Sequence, residues 1–197
     1  MKTAIKGFTL LELMVTIAIV GILTALSLPS FLKLQAKAKQ TEAKTSLRAL
    51  YDLQTARFQE FDSYSSLVGQ LGFSPDRGNR YSYLLVGSGA VLDSRSGTIA
   101  FTATNASGIS VDTFAFPTEV SNPTFVPQSG CTAASAIAVV SGSAGSFTAA
   151  AVGNVDSDAT LDEWTISSFS RDMTTCADVA RGVPSGTPVN EFNDVAR

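Results

Sequence analysis

Apolar and polar positions divide this chain into a long helical stretch and a region of short alternating runs. From Phe8 to Leu28 the sequence FTLLELMVTIAIVGILTALSL holds 21 residues with a single charge, Glu12. At about 1.5 Å per residue, a helix of that length matches a hydrocarbon core roughly 30 Å thick. A secretory signal would be shorter and would end at a small-residue cleavage site, whereas helix-forming sequence here continues past Pro29, so the span is retained. Over residues 30–62, Ala43, Leu47, Leu50, Gln54, Phe58 and Phe61 recur every three or four positions. That spacing gives a stripe, beginning near Ala43, that lies against a globular head. The two stretches predict one helix of about 50 residues, with Pro29 removing the hydrogen bond to the Ala25 carbonyl and introducing a kink.

A segment with turn residues, GFSPDRGNRYSY, ends the helical pattern. Beyond residue 80, runs such as TIAFTATNA, DTFAFPTEV, FTAAAVGNVD and EWTISSFS alternate between turn residues and predict strands of an antiparallel sheet. Their side chains are mostly small, which leaves Phe101, Phe114, Phe116, Phe147, Trp164 and Ile166 to cover the helix stripe. The organisation expected is a basic segment at 1–7, a membrane half of the helix at 8–29, an amphipathic half at 30–62, and a β-rich head at 63–197. The fold class is α+β.

Charge sharpens this division. Residues 1–62 carry eight Lys or Arg against five acids, residues 63–197 six Arg against twelve acids, and all six lysines lie in the first 44 positions. The chain has no histidine. Ser-His-Asp and Cys-His nucleophiles and HExxH zinc sites are thereby excluded, and the head offers no Schiff-base or Walker A lysine. Neither an enzyme nor a nucleic-acid partner is indicated. Lysines on both sides of the apolar span leave its orientation undecided.

Two candidate constellations remain in the head. Cys131 and Cys176, 45 positions apart, do not suit a CxxC redox or zinc motif and leave a disulfide or two buried thiols. Asn154, Asp156, Asp158 and Asp162 place oxygen ligands at positions one, three, five and nine of a calcium-type loop. Ala159 stands where that loop needs glycine, and Thr165 where it needs a closing Glu. An acidic hairpin turn without metal is therefore the favoured reading, with Ca²⁺ at these four residues as the alternative.

The most specific stretch is Lys6-Gly7-Phe8-Thr9-Leu10-Leu11-Glu12, a basic leader and a glycine directly before an apolar helix. A carboxylate in such a helix costs about 2.5 to 3.5 kcal/mol at the bilayer centre, so Glu12 calls for a partner or for hydration at the interface. With the FTLLELMVTIAIVGILTALSLP that begins at Phe8, this stretch resembles the signal and membrane helix of type IV pilins and pseudopilins. QAKAKQTEAKTSLRALYDLQ, FSPDRGNRYSYLL, GNVDSDATLDEW and SGTPVNEFNDVAR extend the likeness to PilA-like major pilins of myxobacteria and related predatory bacteria.

The resemblance implies cleavage between Gly7 and Phe8 by prepilin peptidase and N-methylation of Phe8. It implies assembly of a homopolymer through Phe8 and Glu12, and helix weakening at Gly21 and Pro29. Cys131 and Cys176 are similar to the disulfide pair of many pilin heads. The implied protein is a structural pilus subunit, with a type II secretion pseudopilin as the alternative. Its expected course is a single-pass precursor in the inner membrane, handled by the pilus assembly machinery there, then a surface filament for motility or adhesion.

Overall fold

Helix α1 (Leu10–Phe61) spans 52 residues and runs unbroken through Gly21 and Pro29. Thr9 starts it, its hydroxyl accepting the Glu12 N–H at 3.2 Å. Asp62 ends it in the left-handed region (φ 50°), its N–H bonded to the Phe58 carbonyl at 2.9 Å. Within the apolar span Thr16 and Thr24 donate their hydroxyls to the Leu13 and Val20 carbonyls, both at 2.8 Å. These polar side chains carry their own partners, as a lipid-facing helix requires. The computed structural model describes residues 7–98, 104–127, 131, 136–156, 158, 160–174 and 182–196.

After the helix come the single turn α2 (Val68–Leu71) and seven strands: β1 (Tyr81–Leu84), β2 (Leu92–Asp93), β3 (Gly108–Ile109), β4 (Ala138–Val140), β5 (Ser146–Gly153), β6 (Asp162–Ser167) and β7 (Val189–Phe192). The sheet order is β2-β3-β1-β5-β6-β7, and β4 joins along β5. Only the β2–β3 pair is parallel among the described strands. One edge of β5 serves two partners, β4 at Ser146–Thr148 and β1 at Ala150–Gly153.

Alternation along β5 sends Phe147, Ala149 and Ala151 into the core beneath α1, and Ala150 and Val152 to the opposite face, where Leu84 and Ile137 pack. Ala151 lies in register with both Tyr83 and Trp164, so small residues on the central strand accept large ones from its neighbours. The buried face of α1 consists of Ala36, Gln40, Ala43, Leu47, Leu50 and Gln54. It begins earlier than the apolar spacing predicts because polar Gln40 belongs to it. At the other end Phe58 stacks on Tyr64 at 4.6 Å, and Phe61 is exposed beneath the Arg57 guanidinium.

Two strand expectations are corrected. The run at 112–120 forms turns: Asp112 accepts Arg77 through both its oxygens (2.6 and 3.0 Å) and the N–H groups of Gly78 and Ala115, which holds the segment in a loop. Phe114 is consequently exposed and Phe116 half-buried under Arg80. Of the run at 98–106 the last residues form a turn, and Phe101 lies outside the described residues. Phe147, Trp164 and Ile166 occupy the core as expected.

Candidate functional site

Every side chain from Gly7 to Leu28 is exposed, with Phe8, Leu10 and Leu11 among the most open at 66%, 76% and 74%. So long an apolar surface has no partner within one chain, and it is long and apolar enough to cross a membrane. Glu12 sits in the first helical turn, where the positive end of the helix dipole favours a carboxylate. Among the described residues no cation pairs with it. A Cβ added at Gly21 would meet nothing within 4 Å, so packing inside the single chain does not demand a glycine there.

Below the span, a buried carboxylate draws the helix and three strands of the head together. Asp162 Oδ1 accepts from Gln40 Nε2 at 2.8 Å and from Asn190 Nδ2 at 2.9 Å, and its Oδ2 from the Tyr81 hydroxyl at 2.6 Å and from the Trp164 indole. Asp162 therefore joins α1 to β1, β6 and β7. Burial, reinforced by the Asp162 charge, pushes the Tyr81 phenol far above its usual range. Close by on the same helix, Glu42 accepts the N–H of Arg80 at 3.0 Å and the Tyr83 hydroxyl at 3.1 Å.

This arrangement removes Asp162 from the acidic loop to which its spacing assigned it. Asn154 likewise turns its amide Nδ2 to the Asp158 carbonyl, at 2.9 Å. The carboxylate that does join Asp156 and Asp158 is Asp194, in the C-terminal turn, with ligand-capable oxygens of all three within 4.8 Å of one another. Its proximity could not be read from a position 36 residues beyond Asp158. Burial, followed by the charges of Asp156 and Asp158, raises the Asp194 carboxyl to about 6.

Comparison with known proteins bears on the exposed helix first. The prokaryotic N-terminal methylation motif matches residues 2–28, and the type IV pilin PilA family model matches residues 34–162. The chain belongs to the type IV pilin PilA family. It is 40% identical over 205 residues to the type IV major pilin protein PilA of Myxococcus xanthus, covering 97% of this chain and 93% of that one. A fimbrial protein of Pseudomonas aeruginosa is 35% identical over 103 residues, half of this chain and 67% of its own. Type IV major pilin protein PilE1 of Neisseria gonorrhoeae is 56% identical over 43 residues, covering 22% of this chain and 26% of that one.

The pilin is accordingly a structural subunit of a type IV pilus rather than an enzyme, and the pseudopilin alternative is not favoured. Its methylation motif implies processing by prepilin peptidase and polymerisation, from a membrane-anchored precursor to a surface pilus. In the head, Cys131 is buried in a cluster with Met173, Val183 and Val189, while Cys176 lies outside the described residues.

One buried acid makes the pilin head sensitive to pH. Glu163 accepts the Val126 N–H at 2.9 Å through Oε1, while its buried Oε2 finds no donor among the described residues. Burial, together with the charges of Glu191 and Asp162, raises its carboxyl from 4.5 to about 7. Between those values the folded chain holds a proton that the unfolded chain has released, so this group lowers stability as pH rises through the window. Glu163→Gln keeps the Oε1 acceptor and removes the charge. Thermal unfolding should show its midpoint raised by a few degrees at pH 8 and unchanged at pH 4.5, each kcal/mol being worth about 2 to 4 °C in a domain of this size.

Proposed function

We propose that the pilin is cut between Gly7 and Phe8 on the cytoplasmic side of the inner membrane, N-methylated on Phe8, and built by the assembly machinery into a filament as its major subunit. The observation that carries this reading is the wholly exposed span with a single carboxylate, Glu12, in its first turn. Once extracted from lipid, the span must bury itself against identical spans to escape water, which places the helices at the fibre centre and the heads outside. Cleavage after Gly7 creates an α-amine four residues before Glu12, and the amine of an incoming chain neutralises that carboxylate in trans.

Gly21 and Pro29 add a further property. Proline lacks an amide to donate, and glycine is a poor helix former, so local unwinding between them is inexpensive and lets the fibre extend under load. In the head, Cys131 pairs with Cys176 in a disulfide. Motility or adhesion follows from the fibre and its surface.

Mass spectrometry of sheared fibres tests the processing. The expected subunit begins at Phe8 and carries one added methyl group. Gly7→Glu should keep the chain at full length in the membrane. A Cβ at Gly7 meets nothing within 4 Å, so the fold itself gives that substitution no reason to fail. Fibres made from an uncut Gly7→Glu chain would refute the cleavage position.

A further inference from the structure

We infer that Asp156, Asp158 and Asp194 form a Ca²⁺ site that joins the loop between β5 and β6 to the C-terminal turn of the head. Three carboxylates with oxygens within 4.8 Å of one another repel when all are ionised, and a cation between them relieves that repulsion without requiring a shared proton. Asp194 is the informative member. It is only 2% exposed, yet its Oδ2 has no hydrogen-bond donor among the described residues. A buried carboxylate oxygen without a partner is costly, and a metal ion arriving from the exposed side, where Asp156 and Asp158 stand, supplies that partner.

The surroundings hold Asp194 in place without satisfying it. Its backbone N–H lies 3.4 Å from Asp162 Oδ1, and its Oδ1 accepts the Thr160 hydroxyl, which also lies 2.8 Å from Asp158 Oδ1. The nearby cations are otherwise engaged. Lys39 donates to the Val155 carbonyl at 2.5 Å, and Arg80 stacks on Phe116 at 3.9 Å. Among the described residues, neither forms an ion pair with the three carboxylates. Glu119, which lines a pocket of about 290 Å³ with Arg80 and Asp158, adds one more negative charge.

Coordination chemistry favours Ca²⁺ over Mg²⁺. Three carboxylates supply three to six oxygens according to how many bind bidentately, and water on the exposed side completes the six to eight that Ca²⁺ takes at about 2.3 to 2.6 Å. Mg²⁺ demands a near-ideal octahedron at about 2.0 to 2.1 Å, a poor match to two ligands on an irregular loop. The ligand order differs from the loop suggested by spacing, because the third carboxylate comes from the C-terminal turn.

Calorimetric titration of the full chain in detergent micelles tests the site and does not depend on cleavage or fibre formation. After chelator treatment, CaCl₂ should bind saturably at one site, with a dissociation constant on the order of 10⁻⁴ to 10⁻³ M, as in extracellular modules, and MgCl₂ at least about tenfold more weakly. Asp156→Asn, at an exposed position, should weaken Ca²⁺ binding at least about tenfold while leaving the metal-free melting midpoint unchanged or higher. Asp172→Asn, an exposed acid elsewhere on the head, should bind like the parent. Absence of saturable Ca²⁺ binding up to about 10 mM, or undiminished binding by both Asp156→Asn and Asp194→Asn, overturns the assignment.

Discussion

Cells producing Glu12→Val are expected to accumulate the pilin in the membrane and to show almost no surface fibres. Replacement of the only charge in the 21-residue span makes the helix more apolar, so insertion is not impaired. Folding is not impaired either, because the cap at Thr9 uses the Glu12 backbone N–H and the side chain is exposed. What disappears is the carboxylate proposed to attract the Phe8 amine of the next subunit, an attraction that a medium of low dielectric would make strong. Immunoblots of sheared and membrane fractions measure the outcome, and Glu12→Gln separates charge from hydrogen bonding. Fibre amounts equal to the parent in both variants would defeat recruitment through this carboxylate.

Asp162→Ala should unfold or severely loosen the head. It leaves Gln40 Nε2, Asn190 Nδ2, the Tyr81 hydroxyl and the Trp164 indole without their shared acceptor in a site closed to water. Each buried donor left without its acceptor costs about 1 to 3 kcal/mol, and several together are a large part of the roughly 5 to 15 kcal/mol available to a domain. Denaturant titration followed by the fluorescence of Trp164, the only tryptophan, reads the loss. Asp162→Asn should also destabilise, because its amide places a donor among donors. A change below about 1 kcal/mol for Asp162→Ala would show that apolar packing alone holds the helix to the sheet.

Legibility in the sequence tracked the range of the interactions. α1 was readable because its signals are local: a continuous apolar span, then Ala43, Leu47, Leu50 and Gln54 at helical spacing. β5 and β6 were readable because both alternate over enough residues to show a period. The two-residue β2 and β3 carry no period, and their pairing depends on how distant segments meet. The run at 112–120 alternates like a strand, yet Asp112 forms an ion pair with Arg77, 35 residues before it, and the backbone around it turns.

Arg95 shows the same limit. An arginine at an arbitrary loop position carries no sequence signal, yet it is buried and donates to the Pro75 carbonyl at 2.8 Å and to Asn79 Oδ1 at 2.9 Å, pinning the loop before β1.

The sequence by itself determined the features that composition and near neighbours dictate: an apolar helix too long to hide within one chain, a carboxylate placed near its start, a glycine just before it, and a head without the side chains of familiar catalysis. Tertiary structure alone decided which acids act together. Asp162 and Asp158 are four residues apart, but strand pairing turns Asp162 inward to Gln40, Tyr81 and Trp164 and leaves Asp158 on the surface loop. The C-terminal turn then carries Asp194 to the position that spacing had given to Asp162. A carboxylate's role depends on the donors and charges within a few ångströms, and in this head those come from segments more than a hundred residues apart, such as Gln40 and Asp162, which only the packed fold brings together.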